Sequence, residues 1–191
     1  MEIPDWLTST LASDATGGAG AILGLSPLRA GQLVTGFAST VRVAPGDNGD
    51  LRAALSAGAD TGKVLVVAGS PDSDRAVIGD LMGRWIEGRG YRAIILEGRV
   101  RDVAELRTLK LQVWCAGVTP IASGKEGGGS IGGTVRCAGV EVAPGDLVVA
   151  DDDGVVVWPG ARVAELLERA RERLDRDRDR AIRIAAGGDL D

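Results

Sequence analysis

Residues 93–105 read Ala-Ile-Ile-Leu-Glu-Gly-Arg-Val-Arg-Asp-Val-Ala-Glu, which is a short apolar run, a charged turn and the start of a helix. A short, continuous apolar run of this kind is typical of a strand that is covered on both faces of a sheet. The neighbouring segments alternate in the same way, and they predict strand 64–68, helix 74–87, strand 93–96, helix 103–109 and strand 113–116. Strands that alternate with helices predict right-handed crossovers and a parallel sheet.

On the N-terminal side of this core, residues 34–43 have the β-branched pattern of a strand, which Gly36 is expected to interrupt. Pro45-Gly46 then predicts a turn. Either Asn48 or Asp50 is expected to cap the short helix that follows.

From residue 134 onward, short strand patterns alternate with tight turns, at 134–137, 140–142, 147–150 and 155–158. This alternation of short strands and tight turns predicts an antiparallel β layer. Asp151-Asp152-Asp153-Gly154 lies between the last two strands. Because Asp and Gly suit the dihedral angles of a hairpin turn, we interpret it as a turn rather than as a cation site.

The last predicted helix covers residues 159–187 and is opened by Pro159 and Gly160. Its apolar stripe fades in the alternating Asp-Arg run at 175–180, where opposite charges are spaced for ion pairs along a helix. The helix is therefore expected to project beyond its own core, either as a solvated arm or toward a neighbouring subunit. Without an internal repeat or a linker, residues 1–191 are predicted to form one α/β domain with a parallel βαβ half, an antiparallel β layer and this projecting helix.

The composition excludes several classes of site. No histidine occurs among the 191 residues, which excludes Ser-His-Asp and Cys-His catalysis, histidine-ligated zinc and haem on a proximal histidine. A formal net charge of −5 argues against a nucleic-acid partner, since a groove that follows phosphates needs an excess of Lys and Arg. No apolar run approaches the roughly 20 residues that span a bilayer, and no signal peptide is visible. We therefore expect no membrane partner and a reduced, cytoplasmic setting, with Cys115 and Cys137 as ordinary buried thiols.

Two short motifs resemble phosphate-binding loops, but neither meets all the requirements of such a loop. Residues 127–132 (Gly-Gly-Gly-Ser-Ile-Gly) fit G-x-G-x-x-G, yet the chain continues into a strand and not into a helix with an apolar stripe. Gly62-Lys63 lacks both the earlier glycine and the following Ser or Thr of a Walker A loop. Neither string is interpreted as a nucleotide site.

The most informative residues are Gly79, Asp80, Arg101 and Asp102. Arg101 and Asp102 follow the strand at 93–96, so they emerge past its carboxyl end, where open α/β sheets bind ligands. Gly79 allows close backbone approach, and a helix that starts near it would offer free amides to a carboxylate, with Asp80 beside them. The Arg101 guanidinium can bind a carboxylate or keto oxygen, and Asp102 offers a hard oxygen ligand to Mg²⁺. On spacing alone, a surface Arg-Asp pair that caps the next helix is the simpler interpretation.

A succession of motifs adds to this interpretation. In order, they are Gly36-Phe-Ala-Ser-Thr-Val41, Gly46-Asp-Asn48, Gly79-Asp-Leu-Met82, Gly98-Arg-Val-Arg-Asp102, Gly117-Val-Thr-Pro120, Pro144-Gly-Asp146 and Asp151-Asp-Asp-Gly-Val-Val-Val157. With them, the chain resembles the RraA-like family from about Ser13 to Leu190. That family comprises the regulator of ribonuclease activity A and the class II 4-hydroxy-4-methyl-2-oxoglutarate / 4-carboxy-4-hydroxy-2-oxoadipate aldolases.

The resemblance implies a β/β/α swivelling-domain fold, assembled as a homotrimer or a dimer of trimers with active sites at subunit interfaces. It implies that Asp102 ligates Mg²⁺ or Mn²⁺ and that Asp80 holds a metal-bound water. It further implies that Arg101 binds the keto or enolate oxygen of a pyruvate moiety.

The resemblance also assigns substrate binding to Gly79, Leu81 and Met82, with the backbone amides of Leu81 and Met82 on the substrate carboxylate. The aldolases use a glutamate from the C-terminal helix of the neighbouring subunit. In that region this chain offers Glu172, Asp175 and Asp177, of which the two aspartates are one methylene shorter than glutamate.

Cleavage of a 4-hydroxy-2-oxo acid leaves negative charge on a pyruvate enolate. Without a recognisable Schiff-base lysine, a cation must stabilise that charge. Together with the resemblance, this predicts a divalent-metal-dependent lyase that releases pyruvate from a small 2-oxo acid, with oxaloacetate decarboxylation through the same enolate. The alternatives are a protein-binding regulator that resembles the ribonuclease E inhibitor and an inactive relative that keeps the fold.

Overall fold

The computed structural model of the chain describes residues 2–58 and 63–189, so Gly62 of the rejected Walker A string lies outside the described residues. The strands are β1 (Ala21–Ile22), β2 (Ser26–Pro27), β3 (Val34–Arg42), β4 (Val64–Ala68), β5 (Ala76–Ile78), β6 (Ala93–Val100), β7 (Gln112–Val118), β8 (Ser130–Ile131), β9 (Val135–Cys137), β10 (Val140–Val142), β11 (Leu147–Ala150) and β12 (Val155–Trp158). The helices are α1 (Ser9–Thr16), α2 (Gly49–Ala57), α3 (Asp80–Gly88), α4 (Val103–Leu106) and α5 (Val163–Ala185), and a 3₁₀ turn spans Gly160–Arg162.

A mixed sheet forms the centre of the fold, in the order β1-β12-β11-β3-β4-β6-β7-β2, with β5 beside β6 and β8 beside β3. Strands β3, β4, β6 and β7 are parallel, which confirms the predicted parallel core. Strands β11 and β12 are antiparallel, as the tight turn between them predicted, and β11 also pairs antiparallel with β3. Val66 of the parallel part and Val148 of the antiparallel part belong to one core cluster, so the sheet curls on itself.

Strand β3 joins the two predicted halves. Its first residues pair with β11, Val34 opposite Ala150, and its later residues pair with β4, Ala38 opposite Val64. The expected interruption at Gly36 does not occur, because Gly36 stays in register opposite Val148. The parallel half is therefore continuous with β11 and β12, whereas β9 and β10 of the predicted antiparallel layer form a separate two-stranded sheet.

The predicted helix over 74–87 is wrong at its start. Residues Ala76–Ile78 are all buried and form β5, a short strand parallel to β6. A short apolar run fits both periods, and here the last residues of β6, which extend past their pairing with β4, offer the backbone partners that favour a strand. Gly79 is extended (φ −135°), and the helix begins at Asp80. The predicted helix over 103–109 is likewise shorter, since α4 ends at Leu106.

Two helical layers cover the sheet. Helices α2, α3 and α4 pack on the parallel strands through buried side chains such as Leu51, Ile86 and Leu106. Helices α1 and α5 pack on the antiparallel strands with Leu11, Leu166 and other apolar side chains. The first of these layers carries the residues that the sequence singled out for chemistry.

Helix α5 follows the predicted bounds closely. Its first half buries Val163, Leu166 and Ala170, whereas most of the helix after Leu174 is exposed. Ion pairs at 3.8 Å (Asp175–Arg178) and 3.6 Å (Asp177–Arg180) follow the predicted charge spacing. No helix in the described residues, α5 included, is both long and apolar enough to cross a bilayer.

Candidate functional site

A cleft of about 310 Å³ lies where β6 ends and α3 begins. Of the residues predicted for the site, Gly79, Asp80, Leu81, Met82 and Arg101 line it. Asp102, the predicted metal ligand, follows Arg101 directly, and its carboxylate contacts the backbone N–H of Asp80. The parallel pairing of β5 with β6 explains this convergence, because both strands bring their carboxyl ends to one edge of the sheet.

The contact between Gly79 and the Arg101-Asp102 turn is very close. A Cβ atom at position 79 would collide with Oδ2 of Asp102 and would lie 2.9 Å from Cγ of Arg101. The backbone N–H of Asp80 donates to Oδ2 of Asp102 at 3.3 Å, and Nε of Arg101 lies 3.4 Å from the same oxygen. Only glycine at position 79 therefore allows the carboxylate, the guanidinium and the start of α3 to meet.

Asp102 adopts a left-handed backbone conformation, with φ 54° and ψ 46°. This conformation costs a residue other than glycine on the order of 1 kcal/mol or more, and such strain is found preferentially at functional sites. Asp102 stands at the N-cap position of α4, but its side chain makes no capping hydrogen bond there. The helix-capping interpretation is therefore wrong, because the carboxylate bonds across to the first amide of α3 instead.

The N-terminus of α3 offers unused backbone donors to the cleft. Its N-cap residue is Gly79, which has no side chain to cap the helix. Within the described residues, no hydrogen bond engages the amide N–H of Leu81 or of Met82. Free amides at a helix N-terminus, with the helix dipole behind them, can bind a carboxylate.

Asn48 is a cleft residue that the sequence identified only as a possible helix cap. Its side chain is buried, and Nδ2 donates to the carbonyl of Val77 at 2.9 Å instead of Oδ1 capping α2. Oδ1 is buried without a hydrogen-bond partner. An unpaired buried acceptor costs free energy, and its place in the cleft leaves it available to a bound molecule.

The aromatic residue of the cleft lining is Trp85. Trp114 is buried in the core, where its indole N–H donates to the carbonyl of Asp151 at 2.9 Å. Trp85 lines the cleft together with Arg52 and Lys125. No pattern in the sequence pointed to these two cations, because they are isolated basic residues on a helix and in a loop.

Asp47 holds the glycine-rich loop at 124–129 in place through backbone hydrogen bonds. Asp47 accepts hydrogen bonds from the amides of Glu126 at 2.8 Å and of Gly127 at 2.9 Å, and Gly49 donates to it as well. Burial opposes ionisation of Asp47, but these backbone donors outweigh it and lower the pKa of the carboxyl group. Strand β8 follows the loop, so no helix could receive a dinucleotide, as predicted.

The three carboxylates predicted to serve a neighbouring subunit lie far along α5 and do not line the cleft of their own chain. Asp175 is paired with Arg171 at 3.2 Å, and Asp177 with Arg173 at 2.9 Å. Glu172 is the most exposed of the three. Their approach to another subunit stays a prediction.

The donor set at the cleft suits one kind of metal ion. Within residues 2–58 and 63–189, no three Asp, Glu or Cys side chains lie together as a metal cage. Asp102, with Asp80 beside it, offers hard carboxylate oxygens from one or two residues. Mg²⁺ fits such a set, because it takes few protein carboxylates and fills its coordination sphere with water and substrate oxygens.

The two cysteines are buried and free, as expected. Burial raises the pKa of the Cys115 thiol, and burial together with the charge of Glu97 raises the pKa of Cys137 to about 12. The raised pKa values favour the protonated form of both thiols at neutral pH, and a protonated thiol is a poor nucleophile.

A family model described as "RraA-like: Aldolase/RraA" matches residues 9–157. The chain belongs to the RraA-like family. This confirms both the resemblance and the fold class inferred from the sequence.

Among the proteins similar to this chain, some are named as aldolases and others as inhibitors of RNA processing. A protein of Halalkalibacterium halodurans named "Putative 4-hydroxy-4-methyl-2-oxoglutarate aldolase" is 35% identical over 179 residues, which are 92% of this chain and 85% of the relative. The crystal structure of Streptomyces coelicolor RraAS2, described as an unusual member of the RNase ES inhibitor RraA protein family, has a TM-score of 0.84 at 29% identity and covers 93% of both chains. The RNA-processing inhibitor RraA from Thermus thermophilis has a TM-score of 0.71 at 29% identity, over 83% of this chain and 94% of its own.

Proposed function

We propose that this RraA-like chain is a divalent-metal-dependent lyase that cleaves 4-hydroxy-2-oxo acids and releases pyruvate. One observation carries the proposal: free helix amides, a guanidinium and the carboxylate of a residue with a strained backbone meet at the edge of one cleft. The aldolase name of the Halalkalibacterium halodurans relative supports the same reaction class.

The chain's own residues would bind the pyruvate end of the substrate. The amides of Leu81 and Met82 would hold its carboxylate at the positive end of the α3 dipole. Arg101 would donate a charge-assisted hydrogen bond to the 2-oxo oxygen, where negative charge develops as the enolate forms. Because this charge exists only after bond cleavage begins, Arg101 would stabilise the transition state more than the bound substrate.

Asp102 would hold Mg²⁺ or Mn²⁺ beside Arg101. When bound there, the ion supplies Lewis-acid polarisation of the 2-oxo group, a contribution of several kcal/mol in comparable sites. Gly79 keeps the Asp102 carboxylate accessible, since any side chain at that position would displace it.

The reaction breaks the bond between C3 and C4 of the substrate. The electron pair passes to the pyruvate enolate, while the 4-hydroxyl group loses its proton and becomes a carbonyl. The carboxylate of Asp80 would receive that proton through a water molecule, and a carboxylate of the neighbouring subunit is the other candidate. Oδ1 of Asn48 would accept a hydrogen bond from that water molecule. The enolate finally takes up a proton at C3 to give pyruvate.

Decarboxylation of oxaloacetate gives the same enolate, because loss of CO₂ leaves an electron pair on the same carbon. It uses the same pyruvate-binding groups. We therefore include it in the proposal as a second reaction.

The proposal includes a homotrimer or a dimer of trimers. The exposed second half of α5, which carries Glu172, Asp175 and Asp177, supports an approach to the cleft of a neighbouring subunit. A molecular mass from light scattering that corresponds to three or six chains of 19.6 kDa would agree with this assembly. A monomer in solution would contradict it.

The test is pyruvate release from 4-hydroxy-4-methyl-2-oxoglutarate and from oxaloacetate, measured with Mg²⁺ and with a chelator. We expect release with Mg²⁺ only, and a loss of about 100-fold or more in kcat for Asp102→Ala. Glu105→Ala is the matched control, since it removes an exposed carboxylate one turn from Asp102 that does not line the cleft. Absent release, or equal rates with and without the chelator, would overturn the proposal.

The names of two solved structures favour a second function, binding to an RNA-processing enzyme. This function would use an acidic outer surface of the chain and would not need Asp102. Equal capture of an arginine-rich ribonuclease segment by the wild type and by Asp102→Ala, without pyruvate release by either, would support this second function over the lyase.

A further inference from the structure

Glu97 on β6 is a buried carboxylate that the proposed reaction does not use. Its side chain does not line the cleft. Oε2 accepts a hydrogen bond from the backbone N–H of Gly69, and Oε1 accepts one from the backbone N–H of Ala138, both at 2.8 Å. A buried carboxylate is costly unless donors compensate for the lost water, and here two backbone segments supply those donors.

Glu97 lies at the point where β6 exchanges one partner strand for another. The pairing with β4 ends at Leu96, and the pairing with β5 begins at Arg99. On the side of β7 the register shifts at the same point, because Glu97 and Gly98 together lie opposite a single residue. Such a β-bulge bends the strand and redirects the residues that follow it, and bulges are frequent next to active sites.

The new pairing of β6 with β5 determines where the cleft residues lie. Past the bulge, the backbone N–H of Arg101 donates to the carbonyl of Ile78 at 3.0 Å. Gly79 follows Ile78 and lies against the carboxylate of Asp102. A shift of β6 along β5 would therefore move Arg101 and Asp102 relative to the amides of α3.

The hydrogen bond to Gly69 holds the end of β4 at the bulge. Gly69 follows the last residue of β4 and has a positive φ of 105°. A Cβ atom there would collide with the carbonyl of Val43, so the chain turns in a closely packed place. The backbone pairing of β4 with β6 has already ended at this point, and the side chain of Glu97 continues the attachment between the two strands.

The hydrogen bond to Ala138 attaches the turn of the β9–β10 hairpin to β6. Within residues 2–58 and 63–189, Ala138 and Asp102 are the two residues other than glycine with a positive φ. A strained backbone of this kind persists only where its surroundings hold it, and Glu97 does so for Ala138. Glu97 therefore connects this separate two-stranded sheet with the strand that ends at the cleft.

We propose that Glu97 is a positioning residue for the cleft, because its two hydrogen bonds fix the bulge of β6 and thereby the placement of Arg101 and Asp102 against α3. This inference rests on the proposed function, in which those two residues serve the substrate and the metal ion. Glu97 acts through the backbone of β6 and touches neither.

The variant Glu97→Gln tests this role. Glutamine keeps the volume but replaces one acceptor oxygen with an NH₂ group, which cannot accept a hydrogen bond from a backbone N–H. Two quantities are compared with the wild type: the affinity for Mn²⁺, followed by electron paramagnetic resonance, and kcat and KM for pyruvate release at saturating Mg²⁺. We expect Mn²⁺ affinity and kcat each to fall about 10- to 100-fold. KM should change little, because the amides of α3 that bind the substrate carboxylate keep their place.

Glu141→Gln is the matched control, since it removes an exposed carboxylate from the same hairpin, and it should keep both values. A Glu97→Gln variant that unfolds at a lower temperature, yet binds Mn²⁺ and releases pyruvate like the wild type, would overturn the positioning role. If Glu97→Gln does not fold, Glu97→Asp replaces it with the same expected and contradicting results, because it keeps both oxygens but withdraws them by one methylene.

The wild type separates this inference from the proposed function. A wild type that binds Mn²⁺ but releases no pyruvate would overturn the proposed function, and the change in Mn²⁺ affinity alone would then decide the role of Glu97. A wild type that does not bind Mn²⁺ would overturn both.

Discussion

Gly79 controls the geometry of the cleft at the scale of single residues. It lacks the Cβ atom that would collide with Oδ2 of Asp102, and it lets Arg101 lie against the start of α3. The left-handed conformation of Asp102 adds strain that the fold tolerates at this one turn. Both features bring the Asp102 carboxylate and the Arg101 guanidinium close to the backbone amides at the start of α3.

We expect Gly79→Ala to lower kcat/KM for pyruvate release about 100-fold, because displacement of reacting groups by about 1 Å has an effect of this size. The fold should persist, since the extended backbone of position 79 (φ −135°) is open to any residue. Steady-state kinetics and thermal unfolding measure the two effects. Gly88→Ala on the same helix is the control, because a Cβ there meets nothing within 4 Å. Unchanged kinetics for Gly79→Ala would refute this role.

Some residues of the site were accessible from the sequence and others were not. Arg101 and Asp102 stood out because they follow an apolar strand, and such positions meet ligands in parallel sheets. Asn48 and Arg52 were missed as cleft residues, because each is a single polar residue at the start of α2 with no local pattern. Their role depends on the packing of α2 beside α3, which no local spacing encodes.

At the scale of elements, the boundary between β5 and α3 creates the amide site. The sequence predicted a helix through this boundary, because Ala76–Ile78 fits a helical period as well as a strand. The edge of β6 provides the hydrogen-bonding partners that favour the strand, so the helix begins at Asp80. Non-local pairing of this kind limits prediction from a single sequence.

Asp47 stabilises the loop at 124–129 that carries Lys125. We expect Asp47→Ala to lower the free energy of unfolding by about 2–3 kcal/mol at pH 7, because it leaves the amides of Gly49, Glu126 and Gly127 without their acceptor. Urea unfolding measures the difference. Asp74→Ala, which removes an exposed carboxylate, is the control.

The difference in the free energy of unfolding between the wild type and Asp47→Ala should depend on pH. The pKa of Asp47 in the folded chain is below its ordinary value of 3.8, so the folded state favours the ionised form. The stabilisation is therefore fully present above about pH 4 and is lost as the pH falls through the lowered pKa. A difference between wild type and Asp47→Ala that stays constant from pH 7 to pH 3 would contradict this account.

At the scale of the whole molecule, one curled sheet separates two helical layers with different surroundings. The layer of α2, α3 and α4 carries the cationic cleft, while the layer of α1 and α5 ends in the charged, exposed half of α5. The parallel order, the antiparallel strands and the bounds of α5 followed from periodicity and turn residues. The continuity of the sheet through β3 did not, because it depends on which strands meet at the two ends of β3.

In the proposed reaction, this cleft stabilises a pyruvate enolate with the help of a divalent cation. The exchange of pyruvate methyl protons for deuterium in D₂O, followed by NMR, tests enolate formation without requiring knowledge of the natural substrate. We expect exchange that requires Mg²⁺ or Mn²⁺ and is lost both with a chelator and in Asp102→Ala. Exchange that is absent in the wild type, or that continues in the chelator at the same rate, would contradict the proposed enolate chemistry.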